Sequence, residues 1–122
     1  MFNRRRQKRL ANFDDIISVT YKYGFFSPKK TALSVINIGG GGLKLAIAKK
    51  IKKGVLLAID IMLRGSEHVL PAKGEVVWVK KRENSAQKSY YEIGIQFTKI
   101  DPLSICKVYN HFKDRGLKLE IN

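Results

Sequence analysis

Residues 74–97 read GEVVWVKKRENSAQKSYYEIGIQF. Two apolar runs, Gly74 to Lys80 and Tyr90 to Phe97, flank a polar loop at Asn84 to Lys88. In the second run Tyr91, Ile93 and Ile95 alternate with their neighbours, which is the period-two signature of a half-buried strand. The same texture extends toward the N-terminus. Ile17, Val19 and Tyr21 alternate, Thr31 to Ile38 is β-rich, and Leu43, Leu45 and Ile47 resume the period. Val55 to Leu63 is a more strongly apolar strand. Ser27-Pro28-Lys29-Lys30, the four glycines Gly39 to Gly42, and Lys49 to Gly54 supply the breaks. Short strands at this spacing predict a closed or nearly closed antiparallel barrel, an all-β fold.

The C-terminal end changes period. Asp101-Pro102 offers an N-cap followed by a proline suited to the first helical position. Ile105, Val108, Tyr109 and Phe112 then recur at helical spacing, and Gly116 is a stop signal. A helix over 101–116 would lay this stripe on the barrel. At 122 residues the chain is expected to be one domain. Its parts are a basic arm over 1–12, a barrel over 13–100 and the helix.

The arm reads NRRRQKRL from Asn3, with five cations between Arg4 and Arg9. Such a block repels itself and is expected to be mobile. The chain carries a formal net charge of +14, which points to a polyanionic partner. One cysteine, Cys106, rules out an intramolecular disulfide and suits a reducing cytoplasm. Cys106 itself reads as a small core or boundary residue on the helix. The basic start lacks the long apolar stretch of a secretory signal, and no run approaches a membrane span. A soluble cytoplasmic protein, expected to be monomeric, follows.

Three features carry chemistry. First, arginines grip phosphates in a bidentate fork and stack on bases, so Arg4, Arg5, Arg6 and Arg9 suit a ligand with two phosphates and two purines. A solvated tail or generic nucleic-acid patch is the competing reading. Second, Asn37-Ile38-Gly39-Gly40-Gly41-Gly42-Leu43 lies between two strands, where glycines permit positive φ and close approach of a ligand. It is neither a Walker loop nor a dinucleotide fingerprint, and a plain hairpin turn is the alternative. Third, simple alternation sets Trp78 opposite Val77 and Val79, so it could stack on a base. Packing beneath the helix or the arm is the slightly preferred alternative. His68 and His111 read as surface or packing residues. Asp14-Asp15 reads as a counterweight to the arm. No cluster suggests a metal, a cofactor or a catalytic set.

Together these segments resemble the PilZ family over nearly the whole chain. The resemblance rests on Arg5-Arg6-Gln7-Lys8-Arg9 for an Arg-x-x-x-Arg motif, and on Asn37 to Gly42 for Asp/Asn-x-Ser-x-x-Gly. Gly74 to Val79 and Tyr91 to Phe97 resemble the family's last strands. The resemblance implies a six-stranded barrel and a non-enzymatic receptor for cyclic di-GMP that regulates a protein partner. By motif position, Arg5 and Arg9 would hold phosphates and stack guanines, with Arg4 and Arg6 assisting. Asn37 would meet a guanine edge, and Gly42 would keep the turn low. Gly39 replaces the family's serine, and a lost neutral hydroxyl contact costs about 0.5–1.5 kcal/mol, roughly 2- to 12-fold in affinity. Two other readings stand beside this one. One is a PilZ-like domain working through protein contacts without ligand. The other is a basic OB-like barrel binding nucleic acid, disfavoured because exposed aromatics on adjacent strands are not evident. Contact of Lys49 to Lys53 with anionic lipid is weaker than a solvated loop.

Overall fold

The computed structural model describes residues 13–24 and 26–116. The arm, with Arg4, Arg5, Arg6 and Arg9, lies outside the described residues. A short 3-10 turn, Phe13–Asp15, leads into seven strands and one helix. The strands are β1 Ile17–Lys22, β2 Lys30–Thr31, β3 Ser34–Ile38, β4 Gly42–Ile47, β5 Leu56–Leu63, β6 Val69–Glu83 and β7 Ser89–Ile100. The helix, α1, is Pro102–Asp114. All strand pairs are antiparallel, in the order β2-β1-β5-β6-β7-β4-β3.

There are seven strands where six were expected. The difference lies in Thr31 to Ile38, which reads as one β segment but changes partner midway. The Ala32 amide donates to Val19 O of β1 at 2.9 Å, and the Leu33 amide donates to Ala46 O of β4 at 2.8 Å. Consecutive residues thus bond to opposite ends of the strand order. Only a strongly curled sheet allows this, so the sheet forms a half-barrel whose mouth this crossing bridges.

Alternation places the core as expected. Ile17, Val19 and Tyr21 of β1, Leu43, Leu45 and Ile47 of β4, and Ile93 and Ile95 of β7 are all buried. Each such side chain contributes about 1.5–3 kcal/mol by leaving water. Burial pushes the Tyr21 phenol up, with the neighbouring Tyr23 adding to the rise.

The helix starts where the sequence indicates. Asp101 accepts from the Leu103 amide at 2.9 Å, and Pro102 opens the first turn. Gly116 adopts φ +78° just past the end. Val108 and Phe112 enter the core, with the Phe13 ring 5.4 Å from Phe112. Ile105 and Tyr109 are only half-buried, and Ser104 takes the third buried position. Cys106 corrects its expectation: it is exposed, on the helix face away from that stripe. His111 packs as expected of a lone histidine, its Nε2 2.9 Å from Arg64 O.

Candidate functional site

The glycine turn closes a tight hairpin. Asn37 pairs with Lys44 and Ile38 with Leu43, and the Gly39 amide donates to Gly42 O at 3.0 Å. The turn is docked on β7 by the Phe97 amide, which donates to Gly41 O at 2.9 Å. Gly42 lies directly against the same strand, and a Cβ there would overlap the Ile95 carbonyl oxygen. Its missing side chain is therefore demanded by strand-to-strand contact within the fold, before any ligand is considered. Among the described residues the positive-φ glycines lie elsewhere, at Gly24, Gly54, Gly65 and Gly116.

A bulge between Val35 and Asn37 leaves Asn37 exposed at the rim of this turn. Its Oδ1 accepts from the Ile38 amide at 2.8 Å. One lone pair of that carbonyl is already used, which leaves the amide NH2 to meet an acceptor.

A second bulge decides Trp78. Val76 pairs with Ile95 and Trp78 with Gly94, so Val77 is the extra residue and simple alternation fails there. Val76 is fully buried, Val77 and Val79 are half-buried, and Trp78 is 37% exposed. The indole lies on Gly94, where any Cβ would overlap its ring. The Lys44 ammonium sits 5.5 Å from the ring centroid, a cation–π contact. Trp78 thus packs on β7, and the half of the earlier alternative that places it under the helix is not what occurs.

Asn37, Gly39, Gly41, Lys44, Trp78 and Gln96 line one open groove of about 360 Å³. The fold brings together Asn37, Gly39 and Gly42 of one turn with Trp78 of β6. Lys44, Gly94 and Gln96 were not singled out by their residue types. Gly94 carried the available signal, a glycine amid an apolar alternation, which marks close approach.

Asp14 has partners that its sequence neighbours do not show. Its expected role as a counterweight concerns the arm, which lies outside the described residues. Its carboxylate accepts from the Ser34 hydroxyl at 2.6 Å and from the Val35 amide at 2.8 Å. Its carbonyl accepts from Arg64 Nε at 2.6 Å. The two carboxylate bonds staple the 3-10 turn, just after the arm, to β3, the strand that leads into the glycine turn. Asp14 also occupies the outer edge of β3, which would otherwise offer an open ladder.

Among the described residues no group of three or more His, Cys, Asp or Glu converges, and no helix is long and apolar enough to cross a membrane. The site offers the backbone of the glycine turn, one carboxamide pair, and one cation, Lys44, over an aromatic ring. Such a set can bind an anionic, ring-bearing ligand. A family model described as "PilZ domain" matches residues 3–110. Comparison with curated proteins and with solved structures gave no match.

Proposed function

Since this chain belongs to the PilZ domain family, we propose that it is a non-enzymatic receptor for cyclic di-GMP whose ligand sits in the groove between the glycine turn and Trp78. The observation that carries this reading is where the arm is rooted. Asp14 holds the chain against Ser34 and Val35 of β3, on the strand whose far end is the glycine turn. Val35 to Gly39 spans about 13 Å of extended strand. Arg9 lies five residues before Asp14, a reach of up to about 17 Å, and Arg5 nine residues before, up to about 31 Å. Both guanidinium groups can therefore reach the groove while their root stays fixed.

In this reading Arg5 and Arg9 clasp the two phosphates, with Arg4 and Arg6 adding charge. Trp78, held flat by Gly94, receives a guanine, and the Asn37 NH2 meets a guanine acceptor. Gly39 offers no hydroxyl, and its amide is already spent on Gly42 O, so affinity falls below that of a serine-bearing turn. Ordering the arm over the barrel changes the surface seen by a protein partner, which is the regulatory output. Calorimetry with cyclic di-GMP tests it. Arg5→Ala and Arg9→Ala should each lower affinity at least tenfold, since a charge-assisted contact is worth about 1.5–3 kcal/mol. Unchanged affinity in either variant removes that arginine from the site, and no binding by the parent chain leaves the domain to act by protein contacts alone.

A further inference from the structure

Trp78 has a second neighbourhood. On its other side a groove of about 740 Å³ is lined by Lys50, Lys52, Lys53 and Lys81, with Trp78 and Tyr91 among its apolar residues. Among the described residues no acidic side chain lines it. All four lysines are exposed, and none forms an ion pair with a described residue. The lysine loop is held in place. Ile51 is buried, the Gly54 amide donates to Val76 O at 2.7 Å, and the Val76 amide donates to Val55 O at 2.9 Å. The charges therefore project from an anchored backbone beside two aromatics on adjacent strands, β6 and β7.

We propose that this groove is a binding site for single-stranded nucleic acid, distinct from the glycine-turn groove and sharing Trp78 as a wall. Lysines spaced along a rim match a phosphate chain, and the 37% exposed Trp78 with the partly buried Tyr91 offers ring surface for stacking without base choice. An acidic polypeptide would use the lysines but would gain little from the rings.

The test uses the full chain without messenger, so its result is independent of the receptor reading. A 12-nucleotide oligothymidylate is titrated while the fluorescence of the sole tryptophan is followed. Quenching is expected. Replacing Lys50, Lys52, Lys53 and Lys81 with glutamine should flatten the slope of log affinity against log salt by about 3, the loss of roughly 50-fold salt weakening between 50 and 200 mM. Lys107→Gln with Lys113→Gln, on the exposed face of α1, should leave the groove's share of the slope intact. Tyr91→Leu should weaken binding about tenfold with the slope unchanged, because stacking carries no charge. If the lysine variants change the slope no more per charge than the helix pair does, the proposal is overturned. Polyglutamate binding as tightly as the oligonucleotide overturns it too, in favour of an acidic protein partner.

Discussion

The two grooves beside Trp78 are built from different materials. The glycine-turn groove is made largely of backbone: Gly39 and Gly41 in the turn, Gly42 pressed on β7, and Gly94 under the indole. The lysine groove is made of side chains, with four ammonium groups around an apolar floor. A backbone site recognises by shape and tolerates no added atom. A lysine site recognises by charge and tolerates much, because each long side chain can move. One tryptophan separates the two, so changes can be chosen that damage one and spare the other.

The largest effect is expected from Gly42→Ala. The new methyl meets a carbonyl oxygen of a central strand, which cannot swing aside, so the hairpin must lift from β7. A cost of about 3 kcal/mol is expected in denaturant unfolding, with loss of messenger binding. The lysine groove should keep its salt-dependent binding in the fraction that remains folded. Asp14→Ala comes next. It strips a carboxylate partner from the Ser34 hydroxyl and the Val35 amide and should cost about 2 kcal/mol. Affinity for the messenger should fall as well, since the root of the arm is freed, and calorimetry at matched folded concentration would show it.

Gly94→Ala sharpens the contrast. Its methyl meets a side chain, and a side chain can rotate away. The stability loss should stay near 1 kcal/mol. The tryptophan emission should shift, however, and both grooves should weaken together, because their common wall has moved. If only one groove responds, Trp78 belongs to that groove alone. Tyr21→Phe supplies the reference that touches neither groove. The folded chain favours the neutral phenol, so the contribution of Tyr21 is complete below the ordinary phenol pKa of about 10. It is lost as pH rises through the higher folded value. Unfolding near neutral pH and again above about pH 10 should show a decline in the parent that the variant lacks, with both binding activities unaltered.

Much of this was legible in the chain. The strands announce themselves because one face of each is buried and the other is not, and Ile17, Val19, Tyr21, Leu43, Leu45 and Ile47 obey that rule residue by residue. Asp101 and Pro102 announce the helix because capping is local chemistry. Asn37 and the glycines announce a turn for the same reason. The break at Ala32 and Leu33 was not legible, because their residue types suit either neighbour and only the curl of the sheet divides them. Trp78 is exposed opposite Val79, as alternation reads it, but the bulge that sends Val76 rather than Val77 into the core was not legible, because bulges leave no reliable mark in residue order. The bonds from Asp14 to β3 were not legible, because its partners lie 20 and 21 residues away.

The order of residues determined what depends on near neighbours: period, turns, caps, the sign of the charge and the family to which the motifs belong. Tertiary structure alone decided what depends on distant partners. It put Gly42 and Gly94 under strict steric demand, stapled the arm's root to β3, and brought Trp78 and Tyr91 beside lysines from another loop. The reason is that hydrogen bonding and hydrophobic burial act over a few ångströms, whichever residues happen to occupy them. A sequence displays only the neighbours that the covalent chain provides.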